Sequence, residues 1–381
     1  MSHPSHTRAS QIDALITTAS LATPLQSGLG QAFISLPLQT ESHQIVPLHS
    51  HAFRNWLIHQ FFSEHEILPR ASVLREVIHL LEAKTQFGNV PRVQISRRVA
   101  SAPGKVILDL YNDQGEVVEI SPTGWHVTQN LGVYFRSSRS ARPLPHPEKS
   151  AAALAKLRAV LHLTPEHFTR CMSWLTSAMS PAGPYPILVV QGAGKSSVAS
   201  LLRSLIDPGS APFCPAPNSS RDLQSLASHN WILALDEIEQ LPSRMLRQLI
   251  RLSTGETFAA RDRPSDPEPF HVHLQCPLLL TTSQPLAPEL AQRAIIIDAP
   301  APAVDCEHLR SQLLGALCSA VSAELAKSIQ PKKIDNPVKM RRTAIQSPVP
   351  MSVHPRSRTC ANASAARSPP VYGKIEASSV P

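Results

Sequence analysis

The chain has 381 residues, 42% of them hydrophobic, and a formal net charge of +8. A length of this order holds about two to three domains, and the hydrophobic share excludes a chain disordered throughout. The charge first suggests a nucleic-acid partner, but residues 327–381 hold ten Lys or Arg against two acidic residues, whereas residues 1–326 hold 26 of each, so the excess belongs to the tail.

Residues 1–30 are rich in Ser, Thr, Ala and Gln without clear periodicity and read as a flexible lead-in around one short helix at most. Ala32–Pro37 and Gln44–Leu48 predict short strands. Ser50 is placed to cap a helix in which Phe53, Trp56, Leu57 and Phe61 recur every three to four residues. After Pro69 a second amphipathic helix carries Leu74, Val77, Ile78 and Leu81. The period then falls to two. Arg92–Val99, Lys105–Tyr111, Glu116–Ser121 and Trp125–Thr128 predict an antiparallel meander that turns at Asn112–Gly115 and Ser121–Gly124. Residues 31–137 thus read as a small α+β domain, and residues 138–149, rich in Ser, Arg and Pro, as a linker to a second domain over 150–326.

The second domain opens on two helices. One starts at Ala151 and aligns Leu154, Leu157 and Leu161. The other starts at Thr164-Pro165-Glu166, an N-cap followed by Pro in the first turn, and carries Phe168, Met172, Leu175 and Met179. Strand, loop and helix then alternate from Pro184 to Pro300, which predicts a parallel α/β sheet.

Within it, Pro186–Val190 is an apolar, β-branched strand that enters Gln191-Gly192-Ala193-Gly194-Lys195-Ser196-Ser197. The helix that follows has Val198, Leu201, Leu202, Leu205 and Ile206 on one face. This strand–glycine turn–helix is the setting of a phosphate-binding loop, whose backbone N–H groups and helix N-terminus surround phosphates. Lys195 is placed to reach the β- and γ-phosphates of ATP, and the Ser196 hydroxyl to ligate Mg²⁺. The full G-x-x-x-x-G-K-[ST] pattern would put its first Gly at position 189, which is Val189; if Gly192 is the first Gly, the loop is three residues short. A second apolar strand, Trp231–Leu235, ends in Asp236-Glu237, the pattern in which the Asp holds the metal ion and the Glu polarises the attacking water. Asp236 follows Lys195 at a distance that fits a helix, a strand and a helix between two neighbouring strands.

Further on, a helix through Leu246, Leu249 and Ile250 ends near Gly255, and Phe258–Arg263 with Phe270–Leu274 predicts a hairpin. Cys276–Thr282 is a buried strand, and Arg293 stands directly before the strand Ala294–Ile297, where an Arg can neutralise charge on the γ-phosphate. The six cysteines form no C-x-x-C pair and no zinc spacing with His, and the 17 dispersed His read as surface or packing residues. No apolar run approaches the ~18 residues of a membrane span. Met1–Ser10 has no apolar core of a signal peptide, so a cytoplasmic protein without membrane contact is expected.

Gly183–Val190, Gly194-Lys195-Ser196, Leu201–Pro208, Trp231–Glu237 and Gly255–Arg261 resemble the ATPase of bacterial prophage and mobile-element replication proteins, a primase/helicase-like family similar to the superfamily-three helicases of the AAA+ P-loop group. Ala52–Leu57, Leu80–Lys84, Ile107–Leu110 and Gly124-Trp125 resemble the segment that precedes that ATPase. The resemblance implies an α/β P-loop fold and a homo-oligomer, as a hexameric ring, with ATP and Mg²⁺ at its subunit interfaces and single-stranded or forked DNA in its centre. It implies roles for Gly192, Ala193, Gly194, Lys195, Ser196 and Ser197 on the phosphates, Ser196 and Asp236 on Mg²⁺, Glu237 on the attacking water, Arg293 across the interface, and Arg261 and Arg263 on the hairpin facing DNA. Thr281 stands where the family usually has Asn, and the resemblance stops after about Ala326.

Residues 327–381, with eight Pro and eight Ser and no periodicity, read as a disordered basic arm that adds salt-sensitive DNA affinity, or as an out-of-frame end. Besides an ATP-driven DNA motor, two readings stay open: a decayed, non-catalytic P-loop protein with weak nucleotide binding, and a DNA-binding protein acting through its basic tail.

Overall fold

The computed structural model describes residues 7–28, 30–37, 43–130, 132–260 and 270–329. The described residues belong to one compact unit that runs to Pro331; a second unit, Lys332–Pro381, lies outside them, and with it most of the expected tail.

The lead-in is folded. Helix α1 (Arg8–Ala19) is capped by the Thr7 hydroxyl, which accepts from Ser10 N–H at 3.2 Å, and it buries Leu15 and Ala19. Its inner face also holds Gln11 and Thr18, and that mixed face is why periodicity does not reveal it. Strands β1 (Thr23–Ser27), β2 (Ala32–Pro37) and β3 (His43–Pro47) follow. Next come α2 (His51–His65) and α3 (Ala71–Phe87), and the Ser50 hydroxyl caps α2 as expected, accepting from Phe53 N–H at 3.2 Å. Phe53, Leu57 and Phe61 are fully buried with Val73, Leu74 and Val77 in one core beneath the sheet.

The expected first strand of the meander is split. Residues 92–93 form β4 (Arg92–Val93), parallel to β1, which completes a sheet of order β3-β2-β1-β4. Residues 95–96 form β5 (Ile95–Ser96), which later pairs with β10 (Tyr134–Phe135). The meander itself is β6 (Val99–Ala102), β7 (Lys105–Asp109), β8 (Glu116–Ser121) and β9 (Gly124–Gln129), all antiparallel. The chain leaves strand pairing at Arg97-Arg98, whose side chains reach into the second half of the molecule.

Residues 138–149, expected as a linker, are held on both sides. Arg142 N–H donates to Pro208 O, Leu144 N–H to Leu110 O and Glu148 N–H to Ser311 O. Helices α4 (Ala153–Leu161) and α5 (Pro165–Ala178) then lead to β11 (Ile187–Gln191). Next come α6 (Lys195–Ser204), α7 (Ser220–His229), β12 (Leu233–Leu235) and α8 (Ser243–Thr254). The hairpin β13 (Glu256–Ala260) and β14 (Phe270–Leu274) pairs as predicted; its tip, with Arg261 and Arg263, lies outside the described residues. The chain closes with β15 (Leu278–Thr281), α9 (Pro288–Ala291), β16 (Ala294–Asp298) and α10 (Arg310–Ile329).

The central sheet has the order β12-β15-β11-β16 and is parallel throughout. Two expectations change here. β11 and β12 are not neighbours, because β15 lies between them. The strand expected between α6 and α7 is reduced to one backbone hydrogen bond, from Cys214 N–H to Ala234 O at 2.8 Å. Along β11, Leu188 and Val190 face one core, whereas Ile187 and Val189 face another against α7 and α8. A sheet covered on both faces explains the unbroken apolar strands. The first of these cores also takes in Val106, Leu108, Val118 and Ile120 of the meander, so the two halves share one hydrophobic interior.

Candidate functional site

All four strands of a parallel sheet end on the same side, where such sheets bind ligands. Val190 pairs with Thr281 and Gln191 with Asp298, so the loop after β11, the end of β15 and the end of β16 converge. Leu235, paired with Leu280, delivers Asp236 to the same edge.

Asp236 is the centre of the site. Its Oδ1 accepts from the Ser196 hydroxyl at 2.9 Å and from the fully buried Thr281 hydroxyl. Thr281 Oγ1 in turn accepts from Glu237 N–H at 3.0 Å. Among the described residues no protein donor lies on Asp236 Oδ2. Thr281, buried at the end of β15, thus links the Asp236 carboxylate to the Glu237 backbone. Glu237 adopts a left-handed backbone with φ +52, costly for a residue with a side chain by about 1–2 kcal/mol. That conformation turns the chain directly into the short helical turn Ile238–Gln240.

The turn brings in Glu239, which the sequence does not single out, because only its position after the Asp-Glu pair marks it. Its carboxylate accepts from Ser283 N–H at 3.3 Å. Desolvation raises the Glu239 carboxyl, but hydrogen bonds from its own and Ser283's backbone and from the Thr282 hydroxyl, with the Lys195 charge, bring it below its ordinary value.

The loop itself is tight. Gly192 has φ +94, and a Cβ there would meet Ala299 O and the Asp298 carboxylate. Gly194 N–H donates to Ala299 O at 2.8 Å, and a Cβ on Gly194 would run into the Ala301 carbonyl. Lys195 N–H closes a turn on Gly192 O at 3.2 Å. Two N–H groups of the short loop are thus bonded within the protein. The Ser197 hydroxyl is drawn aside as well, accepting from Ala303 N–H at 3.0 Å. Gly192 and Ala193 remain exposed at the tip.

The site therefore gathers Lys195, Ser196, Asp236, Glu237, Thr281 and Glu239. Arg293 is not among them. It precedes Ala294, which pairs with Ile187 at the opposite end of β11, roughly 15 Å from the loop at about 3.3 Å per strand residue. Its side chain is exposed there.

Asp236 and the Ser196 hydroxyl are hard oxygen donors of the kind Mg²⁺ takes when it arrives with phosphates. Among the described residues no group of three His, Cys, Asp or Glu side chains could hold a metal ion; Mg²⁺ commonly completes its shell with water and phosphate oxygens. No described helix is long and apolar enough to cross a membrane.

Residues 155–378 match the family of replication proteins of actinomycete integrative conjugative elements. That span is more than half of the chain, and the chain belongs to this family. The match continues past Ala326 to residue 378 and so takes in all but the last three residues of the basic tail. No curated protein matches. Among solved structures, the apo C-terminal region of NrS-1 is 12% identical over 83% of this chain and 68% of that one, with a TM-score of 0.41. The active helicase Cch of SCCmec type IV is 11% identical over 79% of this chain and 57% of that one, at 0.38. A full-length MCM homologue from Methanopyrus kandleri is 14% identical over 73% and 74%, at 0.28. With TM-scores below 0.5, these likenesses are loose.

Proposed function

We propose that the protein binds ATP with Mg²⁺ at the strand ends around Asp236 and works as a helicase-like motor in replication of its mobile element. The observation that carries this reading is the Asp236 carboxylate fixed by Ser196 and Thr281, which joins the loop helix to the two strands beside it. In this reading Lys195 binds the β- and γ-phosphates, Gly192 to Ser197 surround them, and Ser196 and Asp236 hold the cation. Bound Mg²⁺ supplies charge neutralisation on the phosphate oxygens. Glu237 orients and deprotonates the attacking water. Arg293, far from its own chain's loop, serves the site of an adjacent copy, which requires a homo-oligomer such as a hexameric ring. The β13–β14 hairpin, with Arg261 and Arg263 at its tip, faces single-stranded or forked DNA. The sheet order, with β15 inserted between β11 and β12, supports the AAA+ form of the P-loop fold.

A specific observation favours a second reading, a nucleotide fold that binds weakly and does not turn over. The N–H groups of Gly194 and Lys195 are bonded within the protein, and ATP must displace the hydrogen bonds to Ala299 O and Gly192 O to use them. Steady-state ATP hydrolysis with and without single-stranded DNA, on the parent and on Lys195→Ala, separates the two. The motor reading expects DNA-stimulated turnover that Lys195→Ala abolishes; turnover indifferent to Lys195 contradicts it.

A further inference from the structure

Away from the loop, a cavity of about 850 Å³ opens between the first sheet's edge, the segment around residues 136–142 and the chain after α6. Arg136, Arg139, Arg142 and Arg203 line it together with His51 and His229, and its described lining contains no Asp or Glu. Over residues 1–326 basic and acidic residues are equal in number, so this segregation is local. We propose that the cavity is a phosphate-binding site, separate from the Gly192–Ser197 loop, that takes a ligand bearing two or more phosphates.

The arginines are held in place before any ligand arrives. Arg142 N–H donates to Pro208 O, Ser210 N–H donates to Ser140 O at 2.7 Å, and Ala141 bridges to Gly209. This backbone clamp presents Arg139 and Arg142 from a fixed segment, and among the described residues neither side chain has a partner. Arg203, only 4% exposed, satisfies its two terminal nitrogens on Ala211 O, Pro212 O and Asn230 Oδ1, but its Nε has no partner. Arg136 shares the pattern. It donates to Ser228 O and shares a hydrogen bond with His229 Nε2, while its buried Nε is unpaired. Burial, with Arg97 close by, holds the Arg136 guanidinium below its ordinary value.

Both Nε atoms are out of contact with solvent, so what Arg136 and Arg203 offer the cavity is positive charge without a carboxylate in the lining, which the exposed donors of Arg139 and Arg142 extend to the rim. The forked donors of Arg fit phosphate oxygens better than any other common anion-binding side chain. The volume lies in the range of small-ligand sites, about 300–1,000 Å³. The phosphates come either from a free polyphosphate or from the backbone of a nucleic-acid strand entering the cavity, and the two sources give different results with the probes below.

The test uses the full chain carrying Lys195→Ala, so that the loop does not report. Inorganic triphosphate and a short oligodeoxythymidylate are titrated against this protein and against the same protein with Arg139→Ala and Arg142→Ala. Both arginines are exposed at the cavity rim, so the double variant is expected to fold. Alkylation of Cys214, a cavity-lining thiol, is followed by peptide mapping to read occupancy at the site itself rather than at the basic tail. The expected result is that at least one probe slows Cys214 alkylation and that the double variant weakens that protection about tenfold or more. Protection by triphosphate identifies a free polyphosphate, and protection by the oligonucleotide alone identifies a strand backbone. If neither probe protects Cys214, or the double variant is protected equally, the proposal is wrong. Because Lys195 is absent throughout, either result stands apart from the fate of the ATP site.

Discussion

Asp236 has one carboxylate oxygen filled by two hydroxyls, and the two are not equivalent. Ser196 is half-buried at the loop, whereas Thr281 is fully buried and also accepts from Glu237 N–H. Thr281→Val removes a donor to a carboxylate and the hydroxyl that accepts from Glu237 N–H, so we expect a loss of about 1–3 kcal/mol in denaturant unfolding. Ser196→Ala, which leaves that buried pairing intact, should cost less stability while removing metal-dependent ATP binding. Lys195 and Ser196 are legible in the sequence because strand, glycine turn and helix are contiguous. Asp236 is legible because it ends an apolar strand. Glu239 and the linking role of Thr281 are not, since both depend on how separate strand ends meet. His229 gives a second test at this scale. Burial first, and then the charge of Arg136, hold its imidazole below the ordinary value. As pH falls, the unfolded chain takes up this proton before the folded one. Its contribution is therefore complete above roughly pH 6.5 and is lost below it. Unfolding midpoints at pH 7.5 and 5.5 should differ less in His229→Gln than in the parent; an equal difference would show that His229 plays no part in the acid response.

Between elements, the decisive bonds come from two adjacent arginines. Arg97 donates to Ala227 O, to Asn230 O at 3.0 Å and to Gln275 O at 2.6 Å, tying the end of α7 to the connection between β14 and β15. Arg98, 2% exposed, pairs with Asp207 at 3.3 Å, and Asp207 also accepts from the N–H groups of Trp231 and Ile232. This buried network sets the entry of β12, and hence the position of Asp236 beyond it. Asp207→Asn breaks the charge pair and should destabilise by about 3–5 kcal/mol in equilibrium unfolding. A change below about 1 kcal/mol, the scale of an exposed pair, would show that Arg98 and Asp207 are not the joint between the halves. Apolar residues alternate over 92–99 and so predict one strand; the period carries no trace of two arginines leaving the sheet to bond partners more than 100 residues away. The helices α2 and α3 are legible, since a capped start and a single apolar stripe are local signals.

For the whole molecule, the +8 charge is a poor guide to the sites. The body is balanced in number, yet it sorts its charges into an arginine-lined cavity and an acidic strand-end site. The tail carries the net excess, and all of its Lys and Arg residues lie within the family's span. Removing residues 332–381 takes away nine basic and two acidic residues. The salt dependence of single-strand binding should become shallower, by about 0.7 in log–log slope for each phosphate no longer neutralised. An unchanged slope would place the phosphate-binding residues in the body. The order of the central sheet is beyond sequence reading, because strand order follows from which faces cover one another and not from order along the chain.

The central claim is that the strand ends around Asp236 bind ATP in a cation-dependent way. The most direct measurement is calorimetric titration of the full chain with ATP, with and without Mg²⁺, on the parent, Lys195→Ala and Asp236→Asn. The expected result is saturable binding that needs Mg²⁺ and disappears in both variants. Binding that ignores Mg²⁺ and survives both substitutions, or no binding by the parent, would contradict it.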